Sequence, residues 1–218
     1  LINAVPLIPI AKVKHRIHSL PAGATPGRSG TRVSHIQACL RVPGGAKAWH
    51  QWVIHWARGK VLQTVIQVWV QPMLIPIPKP PDDTRPIALF DIPMKIATGT
   101  IGEPQTPHII SALGQSQFGA GMASGAHHLF LESLALSNLY PTHTFTSLDA
   151  TNAFGNMSRT HSLRSIRDKL PSLAPIMSSI WATGPTNVWV EISPGNWQTH
   201  LVHDGLFQGE CLASLIYC

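Results

Sequence analysis

Phe145-Thr146-Ser147-Leu148-Asp149-Ala150-Thr151-Asn152-Ala153-Phe154 is the run from which the fold is read. A short β-prone segment delivers one carboxylate, Asp149, and then turns toward a helix-like region. A carboxylate at the end of a buried strand is costly unless its charge is offset, and a hard divalent cation is a usual offset. The plainer possibility is that Asp149 caps the next helix, because Asp is a favoured N-cap residue. The stretch by itself leaves both open.

Outward from this run the pattern alternates helices with a few strands. Upstream, an amphipathic helix is expected from about residue 126 to 139, closed by Pro141. Downstream, helices are expected over about 159–170 and 173–182. Residues 187–192 and 197–202 read as two strands joined by Ser193-Pro194-Gly195-Asn196, a turn composition. Asp204-Gly205 turns again, and Gln208-Gly209-Glu210-Cys211-Leu212 is expected to start a last helix.

Earlier in the chain, Met73-Leu74-Ile75-Pro76-Ile77-Pro78-Lys79-Pro80 is excluded from a helix by its repeated prolines and reads as an edge strand. Pro81-Asp82-Asp83-Thr84 turns and Arg85-Pro86-Ile87-Ala88-Leu89 returns, so Lys79 and Arg85 share a hairpin. Two cations there suit a triphosphate clamp, or are solvated surface charges. Residues 92–100 read as a helix, 102–107 as a loop, and Gln117 to Gly125 as a glycine-rich passage. Trp49, Trp52 and Trp56 with Val53 fall on one helical face, the spacing of a core stripe, followed by a break at Gly59 and a second helix over 61–70. The loop from Pro21 to Gly30 opens into a short helix at 34–40. Such a loop can offer backbone N–H groups to phosphate or serve as a linker. The first twenty residues carry a basic cluster, Lys12, Lys14, His15 and Arg16, and no motif.

At 218 residues with 44% hydrophobic content the chain can bury a core as one domain or one and a half. No apolar run reaches the roughly 18–20 residues that span a bilayer, and the start shows no signal-peptide pattern, so no membrane partner is expected. Beginning at Leu1 without Met, the sequence reads as cut from something longer. Three scattered cysteines, Cys39, Cys211 and Cys218, suit a reducing, intracellular setting. The formal charge of +6 suits a polyanionic partner such as nucleic acid. Among the twelve histidines, only His200 and His203 with Cys211 and Cys218 bring together two ligand types that zinc favours, at a spacing that matches no common zinc module.

Five passages, in order, resemble the reverse transcriptase domain of non-LTR-type retroelements. Ala24-Thr25-Pro26-Gly27-Arg28-Ser29-Gly30-Thr31-Arg32 is similar to the family's upstream loop. Ile77-Pro78-Lys79-Pro80 with Arg85-Pro86-Ile87-Ala88-Leu89 is similar to its fingers hairpin, and Gln117-Phe118-Gly119 through Gly125-Ala126 to the passage before the palm. Leu148-Asp149-Ala150-Thr151-Asn152-Ala153-Phe154 followed by Ser158-Arg159 resembles the first catalytic motif, and Gly205-Leu206-Phe207-Gln208-Gly209 resembles the next. The likeness covers about residues 22–218.

The resemblance implies an α+β, right-hand polymerase arrangement: an unassigned segment 1–21, a fingers-like part 22–110 and a partial palm 111–218. It implies RNA-directed DNA synthesis on an RNA template and DNA primer, with a deoxynucleoside triphosphate as substrate and a two-ion Mg²⁺ site. Asp149 and the carbonyl of Ala150 would hold metal. Phe154 would lie under the incoming sugar, Lys79 and Arg85 would grip phosphates, and Gln208 and Gly209 would support nucleotide and template. The pattern departs from the family at Glu210 and Cys211, and the family's aromatic-X-Asp-Asp hairpin has no counterpart before Cys218. The isolated chain is therefore expected to be inactive. The alternatives are a non-catalytic nucleic-acid-binding remnant, or a decayed element without function.

Overall fold

A computed structural model describes residues 7–114, 117–119 and 122–217. The fold is mixed, with one four-stranded sheet and helices packed about it. The helices are α1 (Ile10–Ser19), α2 (Val33–Leu40), α3 (Gly45–Ala57), α4 (Gln63–Trp69), α5 (Ile92–Gly102), α6 (Thr106–Leu113), α7 (Gly125–Leu139), α8 (Arg159–Lys169), α9 (Ala174–Trp181) and α10 (Ala213–Tyr217). The strands are β1 (Met73–Lys79), β2 (Asp83–Leu89), β3 (Thr186–Ser193) and β4 (Asn196–Val202).

The sheet order is β2-β1-β3-β4. Both expected hairpins form, β1 with β2 and β3 with β4, each antiparallel. Their union corrects the reading of Met73 to Pro80 as an edge strand, because β1 lies inside the sheet. The prolines explain how. β1 pairs with β3, in parallel, only through Met73 opposite Trp189 and Leu74 opposite Val190, so Pro76 and Pro78 extend past the paired length. A proline has no N–H for a ladder, and here β3 asks for none.

α5 is the central element. Every residue from Ile92 to Gly102 except Lys95 is buried, and the core gathers around it from Val13 and Ile17 of α1, Val53 and Trp56 of α3, Ile66 of α4, Ile176 and Met177 of α9, and Leu212. The cluster draws on residues either side of the expected division at 110 and on the N-terminal segment, which carried no expected element. The tryptophan stripe packs as its spacing predicts. Trp56 is fully buried, and edge-to-face contacts link Trp49 to Trp52, Trp52 to Trp56 and Trp52 to Trp69 of α4.

Four further expectations are corrected. Residues 102–107 are helical rather than a loop, as a 3-10 turn Glu103–Gln105 running into α6. The proline at the first turn of α6 carries no N–H where an α-helix needs none. α7 has its expected length but no buried face: only Gly125 is buried, and Leu129, Phe130, Leu131 and Leu134 are all exposed. Its leucines and phenylalanine encircle the helix instead of forming a stripe. Residues 208–212 make turns, so the last helix starts at Ala213. The strand into Asp149 does not form, and residues 144–150 are exposed without regular structure. Residues 120 and 121 of the glycine-rich passage, residues 1–6 and Cys218 lie outside the described residues.

Candidate functional site

The hairpin fixes its charged side chains by register. Ile77 faces Arg85 and Lys79 faces Asp83 across β1 and β2. With a side-chain period of two, Lys79, Asp83 and Arg85 share one face. Lys79 Nζ lies 3.1 Å from Asp83 Oδ2. The Asp83 carboxyl is held below its usual range by a hydrogen bond from the Thr84 backbone N–H and then by Lys79. Both cations are exposed, and Asp83 offsets part of their charge.

The Gln208-Gly209 turn is seated against the same hairpin. The Ala88 N–H donates to the Gln208 carbonyl at 2.7 Å. Gly209 has φ +101°, and a Cβ there would stand 2.6 Å from the Ala88 carbonyl oxygen, so the close seating requires glycine. The same Cβ would stand 3.5 Å from Cγ2 of Ile87, whose side chain lies on the face carrying Arg85.

The turn is joined in turn to the segment after Asp149. Leu206 N–H donates to the Phe154 carbonyl at 2.8 Å and Gly205 N–H to the Met157 carbonyl at 2.8 Å. Asp204 closes the junction by accepting from Arg159 N–H at 2.5 Å and from its neighbour Gly205 N–H at 3.1 Å. Arg159 is buried. Its Nε donates to the Gly205 carbonyl at 3.0 Å, and its guanidinium stands 5.8 Å from the Phe207 ring, which meets Phe90 edge to face. Three stretches distant in sequence thus meet around the base of the hairpin.

Behind the turn lies a small cavity lined in part by Lys95, Thr98, Arg159, Phe207, Glu210 and Cys211. Burial raises the Glu210 carboxyl to about 7, opposed by Arg159 and by the Phe207 backbone. The residue as a whole keeps some exposure, so the crowding is around its carboxyl group rather than its entire surface. Burial likewise lowers the half-buried Lys95 ammonium, with Cys211 and Asp91 acting the other way. Arg159 is lowered by burial, partly compensated by Glu210 and Asp204, and its Nη1 has no partner among the described residues.

The loop from Ala24 to Arg32 has a structural task. Buried Asp91, just before α5, accepts from Ser29 N–H at 3.0 Å and from Ser29 Oγ at 2.6 Å. A Cβ at Gly27 would stand 2.5 Å from the Asp91 backbone nitrogen, so glycine permits the approach. Arg16 braces the other end of α5 through Glu103, at 2.9 Å.

Of the expected site residues, Lys79, Arg85, Gln208 and Gly209 lie on or against the hairpin. Phe154 joins them through its backbone, while its ring packs 5.0 Å from Tyr217. Asp149 and Ala150 are exposed on the irregular segment and are not drawn into this junction by any hydrogen bond or ion pair among the described residues. No group of three His, Cys, Asp or Glu side chains converges among the described residues, and one exposed carboxylate does not by itself fit a two-ion Mg²⁺ site. His200 and His203 are exposed on or after β4. Glu210, Lys95 and Arg159 form a charged interior; the sequence marks Arg159 only as the end of a motif and Glu210 only as a departure from the family pattern, and gives Lys95 no role. The available signal was a lone charge between apolar neighbours, as in Met94-Lys95-Ile96. No helix of the described residues is long and apolar enough to cross a membrane. Neither a protein-family model nor a curated protein matches the chain.

Proposed function

We propose that this chain is the fingers and part of the palm of a reverse-transcriptase-type, RNA-directed DNA polymerase, and that its own residues perform the binding half of that task. The observation that carries the reading is the seating of the Gln208-Gly209 turn beside the hairpin face that holds Lys79 and Arg85. A triphosphate laid on that face meets two cations, with Arg85 able to present a planar fork to phosphate oxygens. The adjoining turn offers Gln208 as a hydrogen-bonding group, and Gly209 allows that turn to sit directly against Ala88. RNA template and DNA primer are the partners this reading implies.

By resemblance the catalytic half would fall to Asp149 with the Ala150 carbonyl, but a single exposed carboxylate does not fit the two-ion site. The chain alone is accordingly expected to bind template–primer and not to extend it. Photocrosslinking of an azido-labelled deoxynucleoside triphosphate, with primer extension in Mg²⁺ run alongside, tests both parts. Label should attach to the 73–89 hairpin, and Arg85→Ala should cut the yield about fivefold or more, the loss of one charge-assisted phosphate contact. Crosslinking indifferent to Arg85 and Lys79 removes the clamp. Template-dependent extension overturns the division of labour.

A second reading draws on the irregular, exposed run 144–150 that carries Asp149: a nucleic-acid-binding remnant with no nucleotide site. It predicts affinity for template–primer without crosslinking of the triphosphate.

A further inference from the structure

Charge is divided unevenly along this chain. The first 81 residues contain ten Lys and Arg and no Asp or Glu, while the rest contain six against ten. An even scatter would put about four of the acids in that first part. Of its cations, only Arg16 and Lys79 have a salt bridge among the described residues. Like charges gathered together repel and work against the compact state, so the arrangement favours a polyanion as partner.

The exposed cations concentrate between the loop at residue 28 and the first turn of α3. Arg28, Arg32, Arg41 and Lys47 all reach solvent there. Arg32 and Arg41 stand at the two ends of α2, about 14 Å apart at 1.5 Å per residue. That length matches about four phosphates of one strand at 3.4 Å each, and it is too long for one phosphate group to bridge.

Arg28 is held in place beside this ridge. Its neighbours are tied down, Ser29 by its bonds to Asp91 and Gly27 by its close approach to the same residue. Its guanidinium stands 4.7 Å from the centre of the Trp189 ring, and Nη1 donates to Gln71 Oε1 at 2.9 Å. Trp189 Nε1 donates to that same oxygen at 3.0 Å, which fixes the ring as well. No carboxylate pairs with Arg28 among the described residues. An arginine already ordered loses little freedom on meeting a phosphate.

A bilayer fits this surface poorly. Val13 and Ile17 of α1 and Val33 and Ile36 of α2 are buried in the core, and Val42 is the only large apolar side chain exposed between residues 28 and 47. Helices that lie in a membrane interface need a free apolar face, and these have spent theirs.

We propose that the surface from Arg28 to Lys47 binds the phosphate backbone of a nucleic-acid strand, with Arg28 as a fixed contact and the Arg32–Arg41 ridge of α2 as its length. The proposal places the nucleic acid of the function proposed above, and it rests on that reading for the identity of the polyanion. Neither Lys79 nor Arg85 belongs to this surface, so the nucleotide clamp can fail alone.

The probe is a fluorescent oligouridylate, titrated into the intact chain by anisotropy from low to physiological salt. Arg32→Ala with Arg41→Ala should weaken binding about tenfold or more and lower the salt slope by about 1.4, two single-strand contacts. Arg28→Ala should lower it by about 0.7. Arg164 and Lys169 of α8 are also exposed, so Arg164→Ala with Lys169→Ala removes the same charge elsewhere and should leave both quantities unchanged. Thermal melts confirm folding, and amide shifts on the unsubstituted chain should centre on residues 28–47 without recourse to any variant. Crosslinking of the azido-labelled triphosphate to the 73–89 hairpin should be the same in the α2 pair as in the unsubstituted chain, which separates this surface from the clamp. Equal losses from the α2 and α8 pairs, shifts that avoid residues 28–47, equal competition by oligoglutamate of the same charge, or affinity for anionic vesicles without any for the oligonucleotide would each overturn the proposal.

Discussion

Glu210 carries the charge that the interior tolerates least. Its carboxyl, raised to about 7 from an ordinary 4.5, keeps its proton in the folded chain across a window where the unfolded chain has released it. Folding therefore takes up a proton there, and stability declines as pH rises from about 4.5 to about 7, then levels once both states are ionised. Glu210→Gln removes the ionisation and keeps the shape. It should flatten that decline and raise the unfolding free energy at pH 8 by about 1–2 kcal/mol, after discounting for partial exposure. Urea unfolding of both proteins at pH 5 and pH 8 measures this, and equal slopes with pH would show that the carboxyl is solvated. A lone glutamate after Gln208-Gly209 is visible in the sequence, but nothing local says that its carboxyl is buried beside Arg159. Asp149 shows the converse. Its sequence context predicts a buried strand end, and the chain leaves it in water. Burial is settled by what packs on a residue: Glu210 meets Arg159 from far back along the chain, and Asp149 is left exposed.

At the scale of elements, legibility follows locality. The hairpins at 73–89 and 186–202 are readable because prolines, β-branched residues and turn residues act within a few positions of themselves. α6 is not, since Pro104 and Pro107 read as breakers until both are found in first-turn positions where they are tolerated. α7 is readable as a helix and misread as amphipathic, because its apolar residues suffice for a stripe but are spread around the axis. That spread leads to a measurable expectation. Phe130 and Leu134 are 62% and 50% exposed, so replacing both by Glu removes no packing and should change the unfolding free energy by less than about 0.5 kcal/mol. The same pair should reduce retention on a phenyl column, since exposed apolar patches drive such adsorption. A loss of about 2 kcal/mol or more in urea unfolding would mean that the helix is covered in solution.

For the whole molecule, the governing quantity is charge set against shape. Sixteen Lys and Arg against ten Asp and Glu leave a formal +6, and the interior already consumes some of both signs. Arg16 is paired with Glu103, and Arg159 is buried beside Asp204 and Glu210. Lys79 is partly offset by Asp83, whereas Arg85 on the same face is exposed and has no salt bridge among the described residues. Net charge alone therefore overstates what a polyanion meets, and the hairpin face offers closer to one unopposed cation than two. Polyanion binding releases condensed counterions in proportion to the phosphates neutralised, so log affinity falls linearly with log salt, by roughly 0.7 per contact on single strands and 0.9 on B-form duplex. For an RNA–DNA template–primer measured by anisotropy between low and physiological salt, Arg85→Ala should lower the magnitude of that slope by about one contact. Lys79→Ala should lower it by less, since Asp83 already offsets part of its charge. A slope near zero in the unsubstituted chain would show that +6 is dispersed over a surface with no nucleic-acid face, and would remove template–primer binding from the proposed function.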